Sequence, residues 1–146
     1  MAPTRAQLIE TATTLVKAFE TLEVEDVLAK RSAKSIQQLL PESLGRGPRD
    51  RESFGQYIGG IKQLIPNGFR VTFNKEPIVD EAARKVVIFA KTAADTIAGP
   101  YHNEYVFIIH MNEEGTLADR VEEFLDSWLV KELESKMDAM KKQIPN

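Results

Sequence analysis

The sequence predicts an α+β fold in which a curved antiparallel sheet wraps around helices from the N-terminal half. Three observations carry that expectation. Apolar residues recur at helical spacing as far as residue 65, the period changes after Pro66-Asn67-Gly68, and five strand-like runs then follow in succession. At 146 residues the chain suits a single domain spanning 1–146, long enough to bury about two thirds of its unfolded surface and to enclose a cavity.

Taken in order, Leu8, Ala12, Leu15, Phe19 and Leu22 form the stripe of a first helix, widened by Ile9 and Val16, with Thr4 and Gln7 as a capping box. A shorter helix from Val24 to about Lys30 precedes a short strand, Ser35 to Leu40, which Pro41 ends. Two glycines, two prolines and two arginines make Pro41 to Asp50 a loop. Phe54, Tyr57, Ile58, Ile61, Leu64 and Ile65 mark a third helix, with Asp50 or Ser53 as its cap. Gly59 and Gly60 within it each cost about 1 kcal/mol against alanine, so another backbone is expected to pack closely there.

The strands are expected at Phe69 to Asn74, Pro77 to Val79, Lys85 to Thr92, Tyr101 to Met111 and Leu117 to Leu125, with Asn112-Glu113-Glu114-Gly115 as the last hairpin turn. A final helix carries Leu129, Leu133, Met137 and Met140 on one stripe, with Glu132 and Lys136 paired one turn apart.

Alternation along the fourth of these strands puts Tyr101, Asn103, Tyr105, Phe107 and Ile109 on one face and His102, Glu104, Val106, Ile108 and His110 on the other. Two phenols, an amide and then apolar surface describe a cavity for a small molecule with a few placed hydrogen-bonding groups. Composition narrows the chemistry further. With no cysteine, disulfides and thiolate sites are excluded and a cytoplasmic location is expected. A net charge of -3 gives no basic face for nucleic acid, and no segment has the length or apolarity expected of a signal peptide or membrane span. No histidine–acid cluster at metal-ligand spacing and no glycine-rich phosphate loop occurs, so neither a metal nor another cofactor is expected.

Arg31-Ser32, Leu40-Pro41-Glu42-Ser43-Leu44-Gly45, the run Asp80 to Val87, Gly99 to Tyr105 and Glu123-Phe124-Leu125-Asp126-Ser127 together resemble the SnoaL-like proteins of fungal natural-product clusters. The resemblance covers nearly the whole chain. It implies a cone-shaped, nuclear-transport-factor-like fold and a cofactor-independent isomerase or cyclase of secondary metabolism. Substrates implied are bulky apolar indole-alkaloid, meroterpenoid or polyketide intermediates. Within the family the likeness runs to the semipinacolases of the brevianamide type, whose pattern of working groups would fall on Arg31, Tyr101, Tyr105 and Glu123.

The residues themselves leave choices open. Glu123 shares its strand face with Val121 and Leu125, where desolvation would raise its pKa and suit a general acid or base; the alternative is an ion pair with a neighbouring strand. Asp126 is a second carboxylate near the same place, or the cap of the last helix. Tyr101 and Tyr105 can polarise an oxygen or act as core aromatics, and Asn103 would orient a ligand or a tyrosine, with Phe107 beyond it. Arg31 can clamp an anion or be merely ion-paired, and Arg46, Arg49 and Arg51 belong to the surface or to a lid. The face bearing His102 and His110 is partly apolar and predicts a homodimer. The same cone could also serve as a non-catalytic binding or interaction module.

Overall fold

A computed structural model describes residues 1–142. Helices α1 (Arg5–Lys17), α2 (Val24–Leu28) and α3 (Arg51–Leu64) occupy the concave side of a seven-stranded sheet, and α4 (Ser127–Lys142) follows the last strand. The strands are β1 (Arg31–Leu40), β2 (Arg49–Asp50), β3 (Arg70–Phe73), β4 (Ile78–Asp80), β5 (Lys85–Thr96), β6 (Gly99–Met111) and β7 (Ala118–Leu125). Their order is β2-β1-β7-β6-β5-β3, with β4 also on β5. All pairs are antiparallel except β1 with β7, which run parallel.

Local chemistry sets the helix starts. The Thr4 hydroxyl accepts from the Gln7 amide at 3.2 Å while the Gln7 side chain accepts from the Thr4 amide at 2.8 Å, completing the capping box. Asp50, rather than Ser53, caps α3 by accepting from the Ser53 amide at 2.8 Å. The faces of α1 and α3 then bury Leu8, Ala12, Leu15, Phe54 and Ile58 against Val86, Ile88, Phe107, Ile109 and Val121 of the sheet.

Several expectations change: Arg49–Asp50, within the expected loop, form β2 against Ile36 and Gln37, and β5 runs on to Thr96. Strand β1 begins at Arg31, four residues before the expected Ser35, because pairing with β7 supplies the order that the polar run Arg31-Ser32-Ala33-Lys34 does not advertise. A bulge separates the pairs Arg31↔Ala118 and Ile36↔Arg120. Gly59 and Gly60 receive no close backbone: a methyl group on either would meet nothing within 4 Å. Close approach occurs instead at Gly55, where such a carbon would sit 3.2 Å from Leu28 and 3.3 Å from Val24, and at Gly68. Gly68 has φ of +72°, and its missing Cβ would lie 1.9 Å from the Glu20 carbonyl oxygen.

The β6–β7 hairpin closes as expected. Asn112 Oδ1 accepts from the amides of Thr116 (2.9 Å) and Leu117 (3.1 Å), and Gly115 takes φ of +69°. Glu132 and Lys136 pair at 3.5 Å on α4. Among the described residues no helix is long and apolar enough to cross a membrane.

Glycine replacement separates the two backbone environments. Gly68→Ala should lower stability by roughly 2 kcal/mol or more, through both positive φ and the clash with Glu20, whereas Gly59→Ala should raise it by about 0.5–1 kcal/mol. Urea denaturation of the two variants beside the parent protein checks both signs.

Candidate functional site

Within the cone lies a cavity of about 210 Å³. Helix α3 supplies Tyr57, Ile58, Ile61 and Leu64; the sheet supplies Leu39, Tyr101, Tyr105, Glu123 and Leu125; α4 closes it with Val130, Leu133, Glu134 and Met137. Phe19, Phe54, Ile65 and Phe69 complete the apolar wall. A larger hollow of about 870 Å³ between α2 and the start of α3 is an open surface groove bordered by Asp50, Arg51 and Glu52, and it lacks this enclosure.

Strand register explains how an acid comes to be here. Glu123 stands directly opposite Phe107 of β6 and beside Leu39 of β1, with Val121 and Leu125 two residues away on its own strand. Burial among these apolar groups pushes its carboxyl up to about 7, against the opposing pull of the Arg31 guanidinium, a hydrogen bond from Gln37 and the charge of Arg49. Glu122 points to the other side of the sheet and meets His110 at 2.7 Å.

Behind Glu123 sits a polar chain that crosses from β7 to β1. Gln37 Nε2 donates to Glu123 Oε2 at 3.0 Å, and Gln37 Oε1 accepts from Arg31 Nη1. Arg31 also donates through Nε to the Val27 carbonyl at 3.0 Å, and its guanidinium lies 4.4 Å from the Phe54 ring centre. Its Nη2 has no hydrogen-bond partner among the described residues. Desolvation lowers the Arg31 pKa to about 9, which still leaves it charged at neutral pH.

Tyr101 and Tyr105 both face the cavity. Burial raises both phenols above their ordinary range, Tyr105 well above it, so each keeps its proton at neutral pH. Asn103 is fully buried and has all its hydrogen bonds inside the protein. Its Oδ1 accepts from the amides of Glu104 (2.8 Å) and Asp126 (2.9 Å), and its Nδ2 donates to the Asp126 carbonyl (3.1 Å) and to the Tyr101 hydroxyl oxygen (2.7 Å). The Tyr101 oxygen thus accepts from Asn103, leaving its own hydrogen free for another acceptor.

The remaining expected residues fall elsewhere. Asn103 orients Tyr101 and does not line the cavity. Phe107 lies beneath the site, stacked 5.4 Å from Tyr105 and 6.0 Å from Phe19. Asp126 is exposed and its Oδ1 accepts from the amides of Trp128 (3.0 Å) and Leu129 (3.4 Å), which makes it the cap of α4. Arg31 reaches the site through Gln37, not by lining the cavity.

Sequence reasoning missed Gln37: it lies inside the expected strand, next to Ile36, but its role appears only once Arg31 joins the same strand and reaches its side chain. It also missed Tyr57, which lines the cavity from α3, stacks on Phe54 at 6.1 Å and carries the Arg49 guanidinium 4.2 Å from its ring centre. Burial, then the nearby Glu123 charge, raises the Tyr57 phenol. Arg46 does more than face solvent: it lines the cavity and pairs with Glu134 of α4, tying the long loop to the last helix.

No family model matches the chain. Three individual likenesses are strong. Austinoid biosynthesis clusters protein F of Penicillium brasilianum is 35% identical over 143 residues, which cover 95% of this chain and 93% of that one. The solved structure of AusH from Aspergillus nidulans is 35% identical with a TM-score of 0.81, covering 86% of this chain and 87% of the other. That of BvnE pinacolase from Penicillium brevicompactum is 29% identical with a TM-score of 0.88, covering 92% and 93%. With its α+β cone, its enclosed cavity and these likenesses over nearly full length, the chain belongs to the SnoaL-like family of fungal secondary-metabolite biosynthesis proteins.

Proposed function

We propose that the protein is a cofactor-independent isomerase or cyclase that rearranges an apolar intermediate of fungal secondary metabolism by acid–base catalysis. The observation that carries this reading is the Glu123 carboxyl, pushed up to about 7 inside an apolar cavity beside two protonated phenols. At that value both protonation states are populated near neutral pH, which is the condition for efficient proton transfer in either direction. The similarity to a protein named as a pinacolase agrees with a skeletal rearrangement.

In a semipinacol step, protonated Glu123 gives its proton to the acceptor atom of an oxidised intermediate. A neighbouring carbon migrates with its bonding pair, and the substrate hydroxyl loses its proton as the carbonyl forms. One proton enters and one leaves, so the composition is unchanged. In an enolisation, the Glu123 carboxylate removes the proton next to a carbonyl and returns it at another carbon. Tyr101 and Tyr105 would donate hydrogen bonds to the oxygen that gains charge in either case. Arg31 acts from behind Glu123 rather than on the substrate. A cavity of about 210 Å³ is below the usual size for a bulky ligand, so entry of such a substrate requires the Arg46–Glu134 bridge to part and α4 to shift.

The protein would work as a homodimer through the outer sheet face. There Phe89, Val106 and Phe124 pair across β5, β6 and β7 as an apolar row, Phe124 being 48% exposed, with His102 and His110 beside it on β6. Light scattering should give a mass near twice 16.4 kDa, reduced to the monomer by Phe124→Glu; a parent protein that stays monomeric at micromolar concentration rejects the dimer.

Glu123→Gln should lower turnover by about 10²–10⁴-fold, and Tyr105→Phe by at least about tenfold. Chromatography with mass spectrometry, using oxidised meroterpenoid and indole-alkaloid intermediates without added cofactor, reads the product as an isomer of unchanged mass. Full activity of Glu123→Gln would overturn the assignment.

Stability supplies a test that needs no substrate. The folded state holds the Glu123 proton more tightly than the unfolded chain, so this group's contribution is present below pH 4.5 and is lost as pH rises towards 7. The stability of Glu123→Gln relative to the parent should therefore rise across that window by up to about 3 kcal/mol, measured by urea denaturation at several pH values. A difference that stays flat with pH would mean the carboxyl titrates normally.

A further inference from the structure

We propose that Gln37 is a positioning residue for Glu123: it anchors one carboxyl oxygen to the buried Arg31 and leaves the other to carry the working proton into the cavity. This rests on the proton-transfer reading of Glu123 and deepens it.

The direction of the Gln37 amide is forced. A guanidinium can only donate, so the Gln37 atom facing Arg31 must be its carbonyl oxygen, and Nε2 must then face Glu123. Glu123 Oε2 is consequently an acceptor in both protonation states. When the acid is protonated, the Gln37 donor favours Oε2 as the carbonyl oxygen, the stronger acceptor, and so the hydrogen on Oε1, which has no hydrogen-bond partner among the described residues and is not one of the sealed polar atoms. Because Glu123 lines the cavity, that proton is presented where a substrate would be.

The Gln37 side chain is buried and makes no other hydrogen bond among the described residues, so its orientation depends on these two partners. The polarised amide passes part of the Arg31 charge to the carboxylate without placing a cation against it. A direct Arg31–Glu123 pair would favour a permanently ionised acid, whereas Glu123 with no donor would favour a permanently protonated one. Other groups around Glu123 are accounted for: Arg49 of β2 favours the charged form, while Tyr57 of α3 and Tyr101 and Tyr105 of β6 are neutral phenols in the same cavity. Arg46 and Glu134 line the cavity as a mutual pair.

Side-chain NMR of the full chain tests this without a substrate. The Gln37 side-chain amide signals should move with pH at the midpoint at which the Glu123 carboxyl carbon titrates, near 7. In Gln37→Met that carboxyl midpoint should rise by about half to one pH unit, since a donor to the charged form has been removed. With a converted substrate, the limb of the pH–rate profile belonging to Glu123 should rise by the same amount, with kcat lowered and KM unchanged. Gln37 amide signals indifferent to pH while Glu123 titrates, or a Gln37→Met carboxyl midpoint equal to the parent's, would overturn the proposal. The amide titration uses the unaltered protein, so a Gln37→Met chain that fails to fold does not remove the test. If the coupled titration is found but Glu123→Gln turns over normally, the enzymatic reading falls and the anchoring stands; the reverse pattern removes Gln37 alone.

Discussion

A half-buried carboxyl group facing an apolar cavity is expensive, and the arrangement around Glu123 is organised by that cost. Left without partners, the acid would stay protonated to well above neutrality. Given a guanidinium at contact distance, it would ionise and lose its use as an acid. Separating the two charges by one amide, with Arg31 fixed in turn by the Val27 carbonyl and the Phe54 ring, leaves the carboxyl between these extremes. The bulge in β1 and its parallel pairing with β7 serve this geometry, since they set Arg31 and Gln37 alongside a strand that lies 86 residues further along the chain.

A second polar anchor works at the other end of the cavity. Pairing of β6 with β7 stops at Tyr105 and Leu125, and the Asn103 side chain then makes the next rung, binding both the amide and the carbonyl of Asp126. The same side chain fixes the Tyr101 hydroxyl. The point where α4 leaves the sheet is thereby tied to the phenol that faces the cavity. The two anchors lie on separate pairs of strands, Arg31–Gln37–Glu123 across β1 and β7 and Asn103–Asp126 across the end of β6 and β7.

Most of the architecture was legible because it rests on period and turn chemistry. Leu8 to Leu22 and Phe54 to Ile65 keep helical spacing, and Tyr101 to Ile109 alternate strictly, so their faces follow directly. Of the site, Glu123, Tyr101 and Tyr105 were visible as polar groups on apolar faces, and the structure places all three around one cavity. Gln37 and Tyr57 were not visible, because a glutamine in a mixed strand and an aromatic on an amphipathic helix carry no local mark; their meaning comes from what the fold sets against them, above all Glu123. Gly59 and Gly60 misled for the same reason. Helix interiors penalise glycine whatever surrounds it, and only the tertiary contacts reveal that the tightest positions are Gly68 and Gly115. Asp126 was ambiguous until the Trp128 and Leu129 amides were seen to use its carboxylate.

The parallel contact between β1 and β7 also bears on the order in which the site comes into being. Strands β5, β6 and β7 can associate through short turns, whereas β1 must be brought back across most of the chain, the kind of closure that costs most in chain entropy. Without β1 alongside, Glu123 would have neither Gln37 nor Arg31 and would face water on that side. The strand that covers Glu123 is the same one that carries Gln37 and Arg31, so the covering of the acid and the supply of its anchor are a single structural event.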